Sequence, residues 1–379
     1  MDGQILNLRR DTDTRMRHSA RPYSRIAVIG MGSWGTALAA VAASAGRDVR
    51  IWGRRPKLAD DINAKRINTR YLPEAQLPEG IHATTDLAEA LDGAEIVLLV
   101  TPSRTLREVC AELKPHLPKG VPLVLCCKGI EQGTGYLLSY LVAEELPGHP
   151  VGALSGPTFA KETVLGHPTA ATIAFDFRYV DRLDPHESPA ARLAVSMSSS
   201  VFRPYISDDL VGVEIGGAVK NVIAIACGMM TGAGFAENTR AALIARGMDE
   251  MKFLAEALGG RRETVTGLSG AGDLTLTCSS MTSRNMSLGV QLGEGKRRDE
   301  CFDGKPVVVE GEVNAVSVVD LARRLGVHMP ISEAVHAILH EGADLSQTFT
   351  ELWARPIESE PRALSIRIAH PSAVDQDRK

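Results

Sequence analysis

Three glycines at fixed spacing, Gly30, Gly32 and Gly35, constrain this chain more than any other feature. Ahead of them lies a short apolar run, Ile26, Ala27, Val28 and Ile29, of the kind that becomes a buried strand. Behind them, from Thr36 onward, the chain is rich in Ala and Leu, lacks Pro and interior Gly, and reads as a helix. In a strand–turn–helix of this order the first glycine makes the tight turn and the second lets the backbone approach a pyrophosphate. The third lets helix and strand pack closely, and the helix N–H groups then face the phosphates. A second strand over residues 49–52 follows at the expected distance. This context separates a dinucleotide site from a merely structural glycine turn.

At 379 residues the chain is long enough for about two domains. A net charge of −4 and 23% charged residues give no sign of nucleic-acid binding, and the apolar runs stop short of a membrane span. Six cysteines occur (Cys110, Cys126, Cys127, Cys227, Cys278 and Cys301) with no C-x-x-C pair. They read as free thiols in a reducing, cytoplasmic setting. Residues 1–24 hold Arg9, Arg10, Arg15, Arg17 and Arg21 but also Asp2, Asp11 and Asp13. With no apolar stretch behind the twin arginine, an export signal is not expected, and a disordered tail is.

The second strand runs into Trp52, Gly53, Arg54 and Arg55. An acid near this point serves a ribose 2′-hydroxyl, whereas an arginine accommodates a 2′-phosphate. Arg54 therefore favours NADP over NAD, the alternative being a solvated loop charge. Further strands are expected over residues 95–100, 121–127, 151–154 and 169–174, alternating with helical segments. That alternation indicates a parallel, doubly wound α/β sheet. Ligands sit beyond the carboxyl ends of such strands, where Lys128, Gly156 and Thr158 fall. Residues 176–189 read as an inserted polar loop. After a strand over 201–206, nearly everything from Asp208 to about Glu341 has helical character. The expected organisation is a tail (1–24), a Rossmann-type dinucleotide-binding domain (25–206), an all-helical substrate domain (207–356) and a second tail (357–379).

The helical part opens with residues 210–230, an apolar run in which only Glu214, Lys220 and Asn221 are strongly polar. A helix apolar on nearly all sides is buried, and a lysine within it must reach a partner, a cleft or water. An apolar setting also disfavours the charged form, which makes such a lysine a useful acid and base. Further on, a Gly-rich turn presents Asp273, and Ser283 stands as the N-cap of a helix beginning Arg284, Asn285. Backbone N–H groups, a hydroxyl, a guanidinium and an amide gathered there suit a phosphate. His336 and His340 have the spacing of a metal pair, but no third ligand is evident, and no metal site is expected.

The segments GMGSWGTALA, Lys128-Gly129, SGPTFA, VEIGGAVKNVIAIA, ENTRAALIARG, GLSGAGDL, SRN and VVEG together resemble bacterial-type NAD(P)-dependent sn-glycerol-3-phosphate dehydrogenase. The resemblance spans nearly all of residues 25–356. It implies cofactor-binding roles for Ser33, Trp34, Arg54, Lys128 and Ala160, and for Arg284, Val308 and Glu310. It implies substrate contacts from Lys128, Gly156, Thr158 and Lys220, and from Asp273, Ser283, Arg284 and Asn285. Lys220 matches the proton acceptor. The implied reaction interconverts dihydroxyacetone phosphate and sn-glycerol 3-phosphate for glycerophospholipid synthesis, without a metal, and a homodimer is the family expectation. Two other readings are a dehydrogenase of carboxylated hydroxy acids, which would lack the joint SRN and GLSGAGDL signature, and a non-catalytic NADP sensor.

Overall fold

The computed structural model describes residues 20–360 and 367–371. Eight strands form one sheet: β1 (Arg25–Ile29), β2 (Asp48–Trp52), β3 (Ile81–Thr84), β4 (Ile96–Leu99), β5 (Leu123–Leu125), β6 (Val151–Ser155), β7 (Thr169–Phe175) and β8 (Phe202–Ser207). Their order is β3-β2-β1-β4-β5-β6-β7-β8. The direction of winding reverses between β1 and β4, which places a crevice at the carboxyl end of β1. Strand residues alternate between two apolar layers, as a period of two requires. Ile26 and Val28 of β1 and Ile96 and Leu98 of β4 face one layer, with Leu38 and Val41 of the helix Ser33–Ser44. Ala27, Ile29, Val97 and Leu99 face the other, with Leu106 and Val109 of the helix Leu106–Leu113.

The sheet is mixed, not wholly parallel. β7 runs antiparallel to β6, while the other neighbouring pairs in the sheet are parallel. The link from β6 to β7 holds a single helix of five residues, Ala160–Val164, about 7 Å long. That is too short to recross the sheet, so the chain turns back beside β6. The segment 176–189 also differs from the expected open loop. It forms the helix Tyr179–Leu183 and a 3-10 turn at Pro185–Glu187. Asp181 accepts hydrogen bonds from the Arg178 backbone N–H and Nε at 2.9 and 3.0 Å, and these close the helix start.

The chain divides into two compact units, one ending at Glu214 and including Tyr136–Glu214, the other comprising Gly129–Gly135 and the chain from Ile215. The helix Leu210–Gly232 continues from the first into the second. It is long and apolar enough to span a membrane, yet 94% of its apolar window is buried in the protein, so it is a core helix. Asp209 starts it by accepting the Gly212 N–H at 2.9 Å. The rest of the second unit is helical up to Trp353, followed by a small antiparallel pair, Ile357–Glu358 with Arg367–Ile368. Of the two expected tails, residues 1–19, 361–366 and 372–379 lie outside the described residues. All six cysteines are free thiols.

Candidate active site

The glycine turn of the sheet unit has the geometry a pyrophosphate requires. Gly30 has φ +132°, and a Cβ there would lie 2.8 Å from the Val100 carbonyl oxygen. A Cβ on Gly35 would fall 1.9 Å from the Gly30 carbonyl oxygen, so turn and helix touch through backbone. Gly32 is the opposite case, with nothing within 4 Å of its would-be Cβ. The two outer glycines are therefore held by contact, and the middle one leaves an open approach to the start of the helix Ser33–Ser44. Trp34 packs against the apolar layer beneath. The short helix that begins at Ala160 packs against the same helix.

Other groups stand at the carboxyl ends of the strands. Lys128 follows β5 and is half-buried, and Gly156 and Thr158 follow β6. Thr158 donates to the Gly156 carbonyl oxygen at 3.3 Å. Two buried hydroxyls at this edge, Thr101 Oγ1 after β4 and Ser155 Oγ at the end of β6, have no hydrogen-bond partner among the described residues. Buried polar atoms are seldom left so, and orphaned donors on the ligand-binding edge of the sheet fit a dinucleotide. Arg54 projects after β2, its Nη2 2.8 Å from Glu112 Oε1, with both side chains more than 40% exposed. An ion pair so exposed contributes little and yields readily to a phosphate.

In the helical unit the buried charge predicted at Lys220 has found partners in Asp273 and Thr277. Its Nζ donates to Asp273 Oδ1 and to Thr277 Oγ1, both at 2.7 Å. Thr277 in turn donates to Asp273 Oδ1 at 3.3 Å. Lys220 is only 7% exposed and Asp273 2%. A carboxylate and a hydroxyl together supply what an ammonium loses on leaving water. Asp273 begins the helix Asp273–Ser279, and Thr277 lies one turn on, so both face Lys220. The π-turn Leu268–Gly272 delivers Asp273 to this position. A Cβ on Gly216, one turn before Lys220, would lie 2.7 Å from the Ser269 carbonyl oxygen, so the helix meets that turn through backbone. Cys278 is buried beside them, and burial, then the Cys227 thiol, hold its own thiol well above the ordinary range. It stays neutral and is no competing acid or nucleophile.

Ser283 caps the helix Arg284–Gly293 as expected, accepting the Met286 N–H. Asn285 has more to do than its sequence position suggests. Its Oδ1 accepts the Gly311 N–H at 2.9 Å and its Nδ2 donates to Asn221 Oδ1 at 2.8 Å. Asn221 then donates to Glu310 Oε2 at 3.3 Å. Three helices are thus tied at one point next to Lys220. Arg284 Nη1 donates to the Val308 carbonyl oxygen at 2.8 Å, which brings Arg284, Val308 and Glu310 to the same end of the unit. Thr277 and Asn221 were not among the predicted site residues. Asn221 carried a signal, as a polar side chain in an apolar helix, whereas Thr277 is visible only as the residue one turn beyond Asp273. The rings of His336 and His340 are tilted at 43° with centroids 5.3 Å apart, and His340 Nε2 lies 2.8 Å from the Glu312 carbonyl oxygen.

Two family models describe this chain, the N-terminal part of NAD-dependent glycerol-3-phosphate dehydrogenase over residues 25–179 and its C-terminal part over 209–350. Glycerol-3-phosphate dehydrogenase (NAD(P)+) of Rhodospirillum rubrum is 47% identical over 92% of this chain and 97% of that relative. The chain belongs to the NAD(P)-dependent glycerol-3-phosphate dehydrogenases. The enzyme of that name from Parvibaculum lavamentivorans is also 47% identical, over 89% of this chain and 98% of its own. Among solved structures, glycerol-3-phosphate dehydrogenase of Coxiella burnetii superposes with a TM-score of 0.79 at 39% identity, over 88% of this chain and 99% of that one. D-mandelate dehydrogenase matches with a TM-score of 0.56 at 13% identity, a likeness of fold alone. As a member of the glycerol-3-phosphate dehydrogenases the chain is an oxidoreductase using NAD or NADP.

Proposed function

We propose that the enzyme reduces dihydroxyacetone phosphate to sn-glycerol 3-phosphate, as the supply step for glycerophospholipid synthesis, with Lys220 moving the proton. The observation that carries this reading is the Lys220 ammonium held by Asp273 and Thr277 at 2.7 Å, a buried acid with its counter-charge in place. A bound nicotinamide supplies the hydride. Lys220 Nζ then meets the negative charge that develops on the ketone oxygen and gives it a proton. Asp273 and Thr277 keep the ammonium oriented throughout, so little reorganisation accompanies the transfer. In the reverse direction the same nitrogen takes the hydroxyl proton.

The Ser283-capped helix start is the phosphate-binding element in this reading, with Arg284 and Asn285 beside it; Lys128, Gly156 and Thr158 are the substrate contacts the sequence resemblance implies. The cofactor lies along Gly30, Gly32, Ser33, Trp34 and Gly35, and Arg54 favours its 2′-phosphate. The six free cysteines suit a cytoplasmic enzyme, and a homodimer is the expected assembly. The decisive variant is Lys220→Ala, assayed by loss of NADPH with dihydroxyacetone phosphate. General acid–base help is worth about 10²–10⁴-fold, so kcat should fall by that factor while NADPH affinity, read by fluorescence titration, stays put. Retention of most of kcat would assign the proton elsewhere.

A further inference from the structure

Between Lys128 and Tyr136 the chain makes an excursion whose seven residues, Gly129–Gly135, belong by their contacts with the helical unit. Gly129, Gly133 and Gly135 have φ of 147°, 84° and 74°, so this strap is a succession of turns that glycine makes most readily. Inside it, the Thr134 hydroxyl donates to Glu131 Oε2 at 2.6 Å and the Gly135 N–H to the Glu131 carbonyl oxygen at 3.0 Å. From outside it is gripped by Arg324, in the last turn of the helix Glu310–Leu325. Nη1 of Arg324 donates to the Thr134 carbonyl oxygen at 2.8 Å, and Nη2 donates to that of Gly133 at 3.0 Å.

The two bonds use what distinguishes arginine from lysine, a rigid fork that spans two adjacent acceptors. The strap is fitted to the fork, since a Cβ on Gly135 would lie 3.0 Å from Nη1 of Arg324. A basic residue in the last turn of a helix is ordinary. Two directed bonds into one loop, above a glycine that leaves room for them, are not. The strap starts at the residue after Lys128.

We infer that Arg324 is a positioning residue that acts through Lys128. By holding the carbonyls of Gly133 and Thr134 it fixes the strap, and the strap fixes the backbone from which the Lys128 side chain reaches the ligands. The inference rests on the reading that Lys128 contacts substrate and cofactor. A double-mutant cycle with Arg324→Ala and Lys128→Ala tests it, with KM for dihydroxyacetone phosphate, kcat, the NADPH dissociation constant and Tm measured for each protein. Small displacements of a binding group are costly, so Arg324→Ala should raise KM by about tenfold, with Tm nearly unchanged. Arg324→Lys, which keeps the charge but not the fork, should fall between. In the Lys128→Ala background, Arg324→Ala should change KM no further. Additive losses in the cycle, or an unchanged KM in both Arg324 variants, would overturn the inference while leaving Lys128 in place. Unchanged KM and NADPH affinity in Lys128→Ala alone would remove the Lys128 reading, and this inference with it.

Discussion

Lys220 and Arg54 show how differently single charges declare themselves. A lysine in an apolar helix must be explained by something, and its explanation, Asp273 and Thr277 at 2.7 Å, lies more than fifty residues away in the chain. Arg54 is a surface residue in an exposed pair with Glu112, and only its place after β2 gives it meaning. Replacing it with Asp should cost NADPH one charge-assisted phosphate contact, about 1.5–3 kcal/mol, and so lower kcat/KM with NADPH roughly tenfold or more. The same change should leave NADH no worse. Steady-state kinetics with both cofactors read this directly, and an unaltered enzyme that used NADH as well as NADPH would refute the preference. Asn285 is the residue whose sequence position said least. Its bonds to Gly311 and Asn221 make it a joint between helices as well as a candidate phosphate ligand.

At the scale of elements, the helix that carries Ser283, Arg284 and Asn285 meets the Lys220 helix backbone to backbone at Gly228 and Gly289. A Cβ on Gly289 would lie 2.2 Å from the Ile225 carbonyl oxygen, and one on Gly228 would lie 2.3 Å from that of Met286. Backbones in such contact leave no room to slide, so the spacing between the Lys220 amine and the capped helix start is set by glycine. Gly289→Ala should push the helices apart and destabilise the unit by about 1–3 kcal/mol. Urea denaturation would show this as a lower midpoint at unchanged m-value. KM for dihydroxyacetone phosphate should rise in parallel, because Asn285 sits one helical turn before Gly289.

Across the whole molecule, each unit buries a glutamate that accepts hydrogen bonds at the start of a helix. Glu214 accepts the Ser139 N–H at 3.0 Å and the Ser139 hydroxyl, at the start of the helix Leu138–Glu145. Glu250 accepts the Ser332 N–H and hydroxyl at 3.2 and 2.8 Å and the Ile331 N–H at 2.5 Å, at the start of the helix Pro330–His340. Burial dominates these bonds and raises both groups from 4.5 to about 7. Between those values the native state holds protons that the unfolded chain has released, so stability falls as pH rises. Their contribution is complete below pH 4.5 and is lost as pH passes 7, roughly 3 kcal/mol for each group. Thermal or urea unfolding from pH 5 to pH 8 should show that decline, and Glu250→Gln should roughly halve it, since Glu214 still titrates. An equal slope in both proteins would show that Glu250 does not titrate in this range.

The sequence by itself determined what depends on neighbours along the chain. The Gly30–Gly32–Gly35 turn between a strand and a helix, the buried helix around Lys220 and the Ser283 cap are local patterns. Each could be read because period, capping and glycine spacing act over one or two turns. Where local length misled, at the return of β7 beside β6 and at the short helices within 176–189, the error was also local: a five-residue helix and an Arg178–Asp181 closure. Tertiary structure decided the rest. The partners of Lys220, the Asn285–Asn221–Glu310 chain and the grip of Arg324 on the strap each join residues far apart in sequence. Such pairings follow from which backbones come to lie together in space, and the identities of the residues alone do not encode that.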